Sequence, residues 1–207
     1  DAATVSFHPV KHICCGEGGG LLTNSEEISQ KAELLRSHGI TRDTDQSDER
    51  PWYYEQIELG WNFRLTDIQA ALGVEQLKRL HESLAKRHSI AERYNEILSG
   101  EKFTKWIDLP KVNSGHALHL YVIRFKQAGL RDKAYRFLKE CGIITQIHYI
   151  PLYRHPFHKG DYKPENFPGA EAYFQNCLSI PMHPDLTDIN QDKVILSLSE
   201  FLSQNGL

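Results

Sequence analysis

The sequence predicts an α/β fold in two parts, namely the end of an α/β domain with a long helix and a smaller α+β domain. Three observations predict this. Short apolar runs and a capped helical pattern occupy the first part, and apolar residues then recur at helical spacing from Leu77 to Leu98. After Gly100 the pattern changes to short alternating runs. We therefore predict domains at residues 1–98 and 99–207.

Two short strands are predicted near the beginning of the chain. Thr4–Phe7 is predicted to be the last part of a strand. This strand stops at Pro9, because proline cannot donate a hydrogen bond to a neighbouring strand. Gly20–Thr23 is a second short apolar run that suits a strand. Between these runs the chain is rich in glycine, so we expect a loop there.

A helix and a long loop are predicted next. Asn24 and Glu27 form a capping-box pattern for a helix through Arg36, and Gly39 is placed to end that helix. Residues 41–56 are polar and predict a long loop. A loop of that length in a compact domain is usually functional or mobile. Disorder is the alternative, and the sequence does not decide between these possibilities.

A second capping box, Thr66 with Gln69, predicts a helix from about Asp67. A heptad-like stripe then continues to Leu98 and predicts a long helix that links the two domains. Arg87 interrupts this stripe, which disfavours the alternative of a free-standing coiled coil. The apolar residues of the stripe stand at positions 77, 80, 84, 91, 94 and 98.

The second part is predicted to alternate strands and helices, with a core-facing stripe on its last helix. The predicted elements are, in order, a strand at Leu118–Phe125, a helix at Arg131–Cys141 ended by Gly142, a strand at Ile143–Ile147, a helix from Phe167 to about Cys177, a strand at Leu178–Pro181, and a final helix from Thr187 with Val194, Leu198, Phe201 and Leu202 facing the core.

The segment Ser6–Gly20 places one lysine after an apolar run and before four glycines. A turn at His8 and Pro9 would direct the hydroxyl of Ser6 and the amine of Lys11 towards one small ligand. Lysine forms Schiff bases with carbonyl compounds and with pyridoxal phosphate when its site is partly desolvated. The alternative is a surface lysine beside a glycine turn.

Two further candidate positions follow from the chemistry of loop ends. Asn62 lies just before the positive end of a predicted helix, where anions collect, although asparagine is also a common turn residue. His148, Tyr149 and Ile150 gather at the end of a predicted strand, where ligands are held. Packing at a domain joint is the alternative for these three residues.

Composition excludes several classes of function. The chain has 207 residues and a net charge of -3, so no basic surface for nucleic acid is expected. No apolar run approaches the about 18 residues that span a membrane, and we expect a cytoplasmic protein. The four cysteines form no Cys-x-x-Cys pair, and Pro156 separates His155 from His158, so no metal site is predicted.

The segment Ser6–Lys11, followed by Gly-Glu-Gly-Gly, resembles the Schiff-base segment of the DegT/DnrJ/StrS sugar aminotransferases, which are fold-type-I pyridoxal-phosphate enzymes. Its His-Pro-Val is similar to the nucleotide-sugar enzymes of pseudaminic acid and spore-coat polysaccharide synthesis. Gly60–Arg64 resembles the family's Gly-x-Asn-x-Arg, and Phe167–Glu171 carries the resemblance towards the C-terminus. Cys14 and Cys15 depart from the family pattern, which usually has threonines there.

The resemblance implies the tail of a fold-type-I large domain with a long linking helix, followed by a smaller α+β domain. It implies that Lys11 binds pyridoxal 5'-phosphate as a Schiff base and that Ser6 contacts the cofactor phosphate. It also implies that Asn62 reaches the phosphate of the neighbouring subunit, so that a homodimer shares its active sites. The residues at 148–150 would contact the substrate.

The function that the resemblance implies is transfer of an amino group from an amino acid, glutamate by preference, to a keto group of a nucleotide-linked deoxysugar for a surface polysaccharide or glycan. The sequence begins without methionine and close to the lysine segment, so we expect a C-terminal half that lacks other cofactor contacts. The alternative is a noncatalytic fragment or assembly domain that binds no cofactor as the chain stands.

Overall fold

The computed structural model describes residues 1–45, 49–113, 115–158, 160 and 162–206. These residues form two compact units, Asp1–Leu80 and His81–Leu207. The predicted mixture of helix and sheet is confirmed. The division between the units falls in the sequence between Leu80 and His81. The predicted domain division at residue 98 stays a prediction.

The described residues of the first unit form two small antiparallel sheets and two helices. Strands β1 and β2 pair from Ala2 with Thr23 to Ser6 with Gly19, so they form a hairpin around the glycine-rich loop. The elements of this unit are β1 (Ala2–Ser6), β2 (Gly19–Thr23), α1 (Glu26–Arg36), β3 (Ile40–Thr41), β4 (Glu55–Gln56) and α2 (Asp67–Lys78).

The N-terminal cap of α1 differs from the prediction. Ser25, and not Asn24, is the capping residue, and its Oγ accepts the Ile28 N–H at 3.4 Å. The capping box predicted for Asn24 and Glu27 is therefore wrong. The reason is local, because the Thr23 hydroxyl accepts the Ser25 N–H at 3.0 Å and the chain enters the helix one residue later.

The predicted loop at residues 41–56 is shorter in the structure. Its two ends pair as β3 and β4, with Ile40 opposite Gln56 and Thr41 opposite Glu55. The loop prediction is thus wrong for Thr41, Glu55 and Gln56. The part of this prediction that falls on residues 46–48 lies outside the described residues.

The predicted capping box of α2 is confirmed in both directions. The Thr66 hydroxyl accepts the Gln69 N–H at 3.3 Å, and the Gln69 side chain accepts the Thr66 N–H at 3.2 Å. The predicted single helix is interrupted at Arg79, whose N–H bonds back to Gln76 O at 3.2 Å, and a new helix starts at Leu80. This shorter i–3 bond tightens the last turn and ends α2.

The second unit packs helices against a three-stranded antiparallel sheet with the order β5–β6–β7. Three short 3-10 turns, at residues 152–154, 156–158 and 164–166, precede α6. Its other elements are α3 (Leu80–Leu98), α4 (Glu101–Thr104), β5 (Ile107–Asp108), β6 (Tyr121–Phe125), α5 (Leu130–Glu140), α6 (Pro168–Asn176), β7 (Cys177–Ile180) and α7 (Asp188–Gln204), of which α3 begins one residue before the unit.

The core of this unit lies between the sheet and the long helices. Along β6 the side chains of Tyr121, Ile123 and Phe125 are buried, as expected for alternation along a half-buried strand. The stripe predicted on the last helix is confirmed, because all of its members are buried in α7. The buried stripe residues are Val194, Leu198, Phe201 and Leu202.

Two predicted strands differ from the structure. Ile143–Ile147 forms no strand and makes only an isolated bridge, in which Gln146 exchanges hydrogen bonds of 3.1 and 2.8 Å with Ser179. The strand predicted at Leu118–Phe125 is present only as β6, because Leu118 has a φ of 52°. A left-handed residue cannot continue a strand.

Arg87, which the sequence presented as an interruption, lies inside the second unit with 5% of its surface exposed. Its Nη1 donates to the carbonyl oxygens of Leu118 at 2.9 Å, His119 at 3.3 Å and Met182 at 3.2 Å. Burial lowers the pKa of the guanidinium from its ordinary value. One buried cation thus satisfies carbonyls from two separate loops.

Replacing Arg87 with Ala should destabilise the second unit by about 2 kcal/mol or more, because the three carbonyls would lose their donor inside the core. Urea unfolding followed by circular dichroism measures this change. Lys86→Ala is the matched control, since Lys86 is exposed and forms an ion pair with Glu82 on its own helix. Equal stability of the two variants would contradict the role assigned to Arg87.

Candidate active site

Lys11 is held on a tight turn directly after β1. Its backbone N–H donates to the His8 carbonyl at 2.9 Å, with Pro9 in the second position of the turn. The fixed φ of proline suits that position, so the predicted turn at His8 and Pro9 is confirmed. The lysine residue is half-buried.

The hydroxyl of Ser6 and the backbone of Lys11 are both hydrogen-bonded to His8. Its Oγ accepts the His8 N–H at 3.4 Å, while the His8 carbonyl accepts the Lys11 N–H. Both candidate residues are therefore bonded to His8, Ser6 through its N–H and Lys11 through its carbonyl. A hydroxyl and a primary amine on one short turn are a donor set suited to a phosphate-bearing aldehyde.

The glycine-rich loop is fastened to α2. Gln69 Nε2 donates to the Glu17 carbonyl at 3.1 Å, and Gly18 O accepts the Phe7 N–H at 2.9 Å. Gly18 has a φ of 131°, and a Cβ there would lie 2.7 Å from Leu65 Cδ1. The positive φ favours glycine at this position, and a Cβ would also require the Leu65 side chain to move.

Cys15, one of the two departures from the family pattern, is a packing residue. It is buried, with 2% of its surface exposed. A Cβ on Gly73 of α2 would lie 2.7 Å from its sulfur, so the loop and the helix are in close contact at this point. The thiol replaces the polarity of a threonine with an apolar contact.

The segment around Asn62 is bonded through its backbone to the end of α1. Trp61 N–H donates to Leu35 O at 2.6 Å, and Phe63 N–H donates to Arg36 O at 2.8 Å. In return, Trp61 O accepts the His38 N–H at 2.7 Å. The carbonyls that a helix leaves unpaired at its C-terminus are thus used to fix this segment.

Two glycines make this contact possible. The helix ends at Arg36 as predicted, but its C-terminal cap is Ser37 and not Gly39. Gly39, two residues later, has a φ of 67° and an N–H that donates to Leu34 O at 2.9 Å. A Cβ on Gly60 would lie 2.2 Å from Gly39 N, and a Cβ on Gly39 would lie 1.9 Å from Glu58 O. The two backbones therefore touch where a side chain cannot be accommodated.

The Asn62 side chain has a defined orientation, because its Oδ1 accepts a hydrogen bond from Arg64 Nε at 2.9 Å. The amide NH2 is then the group that Asn62 offers to an anion. Asn62, Arg64, Arg36 and the glycines at 18–20 line a cavity of about 780 Å³. Among the described residues that line this cavity, neither Ser6 nor Lys11 is found.

His148, Tyr149 and Ile150 lie in the second unit. The Nδ1 atom of His148 is 2.8 Å from the Ser179 hydroxyl on β7. Tyr149 and Ile150 are 71% and 49% exposed and line a cavity of about 470 Å³ with Phe174. The structure brings these three residues together, whereas Ser6, Lys11 and Asn62 belong to the other unit.

Sequence reasoning missed the ion pair that anchors the segment after Ile150. Arg154 Nε donates to Glu171 Oε1 at 2.8 Å, and its Nη2 bonds the second carboxylate oxygen. This bidentate pair holds the segment to the first turn of α6 and lowers the pKa of the Glu171 carboxyl. In the sequence, the only indication of this ion pair is that the two residues carry opposite charges.

No group of three or more His, Cys, Asp or Glu side chains that could hold a metal ion occurs in the part of the chain that the structure describes. None of the helices formed by the described residues combines the length and apolarity that a membrane span requires.

The chain is similar to known proteins over nearly its whole length. Residues 1–199 match the model of the DegT/DnrJ/EryC1/StrS aminotransferase family. The chain is 35% identical to the spore coat polysaccharide biosynthesis protein SpsC of Bacillus subtilis, over 98% of this chain and 54% of SpsC. It is also 35% identical to a UDP-4-amino-4,6-dideoxy-N-acetyl-beta-L-altrosamine transaminase of Campylobacter jejuni, over 90% of this chain and 48% of the relative.

A solved structure shows the same fold. The sugar aminotransferase Spr1654 of Streptococcus pneumoniae, described as putative and solved in a PMP form, matches with a TM-score of 0.89 and 28% identity. The match covers 99% of this chain and 53% of that protein. The chain thus spans about half the length of the relatives that it matches.

Replacing Gly60 with Ala should destabilise the first unit by about 2 kcal/mol, because the new Cβ would push apart two backbones that have no room to move. Gly16→Ala is the control, since Gly16 has a φ of 82° but nothing within 4 Å, and its cost should be about 1 kcal/mol. Urea unfolding followed by tryptophan fluorescence compares them. A Gly60→Ala variant as stable as Gly16→Ala would refute the contact.

Proposed function

Because the chain belongs to the DegT/DnrJ/EryC1/StrS aminotransferase family, we propose that it supplies the reactive lysine of a pyridoxal-phosphate-dependent sugar aminotransferase. The whole protein transfers an amino group from an amino acid, glutamate by preference, to a keto group of a nucleotide-linked deoxysugar. The names of the relatives from C. jejuni and B. subtilis support a nucleotide sugar and a surface polysaccharide. The observation that carries the proposal is the turn after β1, in which His8 bonds both the Ser6 hydroxyl and the Lys11 backbone.

The residues of the first unit fit pyridoxal 5'-phosphate. The amine of Lys11 suits its aldehyde, and the hydroxyl of Ser6 and the amide of Asn62 suit its phosphate. The guanidinium of Arg64, which bonds Asn62, adds a positive charge near that amide. The strands that flank the loop are packed closely, because a Cβ on Gly19 of β2 would be 2.7 Å from Val5 O of β1.

Lys11 performs two tasks in this proposal. Pyridoxal phosphate, when bound, supplies an aldehyde and a ring that takes up electrons. The Nζ atom of Lys11 would hold that group, and as a free amine it would carry a proton between the substrate carbon that bears nitrogen and the cofactor carbon. His148, Tyr149 and Ile150 contact the sugar, for which the exposure of Tyr149 and Ile150 is support.

The proposal includes a homodimer in which Asn62 reaches the cofactor phosphate of the neighbouring subunit. Two observations support it. Asn62 lines a cavity of the first unit that Lys11 does not line. Helix α2, which follows Asn62, also exposes apolar side chains, with Ile68 at 85% and Val74 at 57%. We further propose that the protein acts in the cytoplasm.

A second candidate function is that of a noncatalytic fragment or assembly domain. The observation that favours it is length, because the chain spans about half of its relatives. If further cofactor contacts come from another segment, these 207 residues alone would bind no cofactor.

Replacing Lys11 with Ala in the protein as it occurs in the cell should lower the rate of amino transfer by roughly a factor of 10³, because the attachment point and the proton carrier are lost together. The assay is transfer from glutamate to a nucleotide-linked keto sugar. Lys78→Ala is the control, since Lys78 is an exposed lysine of the same unit that pairs only with Glu75.

Retention of full activity in the Lys11→Ala protein would reject the proposed function. The fragment alternative has its own readout. If the 207-residue chain mixed with pyridoxal phosphate develops no visible absorption band beyond that of its Lys11→Ala variant, the chain alone is the noncatalytic fragment.

Replacing Asn62 with Ala in the whole protein should weaken cofactor retention by about 1.5 to 3 kcal/mol, because a hydrogen bond to a charged phosphate is lost. Dialysis against buffer followed by measurement of the remaining cofactor quantifies the effect. Arg64→Ala should show a smaller loss, since it removes the bond that orients the amide and a nearby positive charge but leaves the amide itself in place. Unchanged retention in Asn62→Ala would count against the shared site.

A further inference from the structure

The lysine loop, by which we mean residues 7–18 between β1 and β2, packs against α2 and the residues that lead into this helix. A Cβ on Gly18 would be 2.7 Å from Leu65 Cδ1. A Cβ on Gly73 would be 2.7 Å from the sulfur of Cys15. The loop and the helical segment are therefore in close contact at two separate points.

Gln69 lies midway between these two contacts in the sequence, four residues after Leu65 and four before Gly73. Residues four apart lie on the same face of a helix, so Gln69 and Gly73 face the loop together. The Nε2 atom of Gln69 donates to the Glu17 carbonyl at 3.1 Å. This hydrogen bond adds a directional contact to the packing on either side of it.

The side-chain amide of Gln69 makes two different kinds of contact. Its Oε1 accepts the Thr66 N–H at 3.2 Å and the Thr66 hydroxyl at 3.0 Å, which completes the capping box of α2. Its Nε2 is the atom that bonds the loop. One amide thus joins the first turn of α2 to the lysine loop.

The bond to Glu17 bears on Lys11 because both residues belong to one closed loop. The N–H of Phe7 donates to Gly18 O at 2.9 Å, and the carbonyl of Phe7 accepts the Cys15 N–H at 3.0 Å. These bonds close the base of the loop. Glu17 lies within that base, so a bond that fixes Glu17 also fixes the base from which Lys11 projects.

We propose that Gln69 is a positioning residue, whose hydrogen bond to Glu17 holds the lysine loop in the shape that presents the amine of Lys11 to its ligand. That this ligand is pyridoxal phosphate rests on the proposed function. The role is separate from helix capping, because the cap uses Oε1 of Gln69 and the loop bond uses Nε2.

Three variants separate the loop bond from the cap and from charge. Gln69→Glu keeps an acceptor for Thr66, since glutamate also completes a capping box, but it has no N–H to donate to Glu17. Gln69→Met removes the loop bond without adding a charge. Thr66→Val removes the hydroxyl of the cap and leaves the Nε2 atom of Gln69 in place.

Competitive acetylation of the 207-residue chain tests the proposal without a cofactor. The rate at Lys11 is divided by the rate at Lys78, an exposed lysine of the same chain, and both are read by mass spectrometry. Gln69→Glu and Gln69→Met should each raise this ratio roughly fivefold, because one hydrogen bond is lost and the half-buried lysine becomes more accessible.

Thr66→Val is the matched control in the same experiment. It should change the acetylation ratio less than about twofold while it speeds hydrogen exchange of the Gln69 N–H, which the Thr66 hydroxyl accepts at 3.3 Å. Circular dichroism verifies that all three variants fold. In the whole protein, Gln69→Glu and Gln69→Met should lower cofactor retention after dialysis roughly fivefold, and Thr66→Val should leave it unchanged.

An unchanged acetylation ratio in Gln69→Glu, an equal rise in Thr66→Val, or a rise in Gln69→Glu that Gln69→Met does not share would overturn the proposal. A raised ratio with unchanged cofactor retention would overturn the positioning role toward the cofactor. The proposed function fails by a different result, namely full activity of the Lys11→Ala protein, so the two failures are distinguishable.

Discussion

The geometry of the first unit depends on the contact between the backbones of Gly39 and Gly60, where a Cβ would lie 2.2 Å from a main-chain nitrogen. This contact lets the residues on either side of Asn62 bond the last carbonyls of α1. The chain then enters α2, whose first turn bonds Glu17 in the glycine-rich loop. Glycine at two positions thus determines where Asn62 lies and, through α2, supports the loop that follows Lys11.

A buried cation plays the corresponding part in the second unit. Arg87 connects the loop that precedes β6 to the residues that follow β7, through the carbonyls of His119 and Met182. Because its charge is satisfied by carbonyl oxygens, the guanidinium can be buried without an acidic partner. One of these bonds, to the Leu118 carbonyl, stabilises the left-handed conformation of Leu118.

The sequence predicted features that depend on near neighbours in the chain. The capping box of Thr66 and Gln69 and the turn at Pro9 were both confirmed, because each is decided by residues within a few positions of one another. The cap of α1 was misplaced by one residue, since the Thr23 hydroxyl competes for the Ser25 backbone. Local patterns locate such elements well and their boundaries less well.

Contacts between residues that are distant in the chain could not be predicted from local sequence patterns. The pair of Arg154 and Glu171, and the burial of Arg87, depend on contacts across the fold, so the sequence showed only a pair of opposite charges and an interruption in a stripe. For the site, family resemblance named Ser6, Lys11 and Asn62. Their roles remain proposals, although the turn and the orienting bond from Arg64 are present in the structure.

The most direct test of the central claim is chemical labelling of the whole protein. The protein is incubated with pyridoxal phosphate, reduced with borohydride, digested and mapped by mass spectrometry. The account predicts that the cofactor is fixed on the peptide that contains Lys11 and is displaced before reduction by an excess of amino donor. A label on another lysine, such as Lys31 or Lys78, or no label at all, would contradict it.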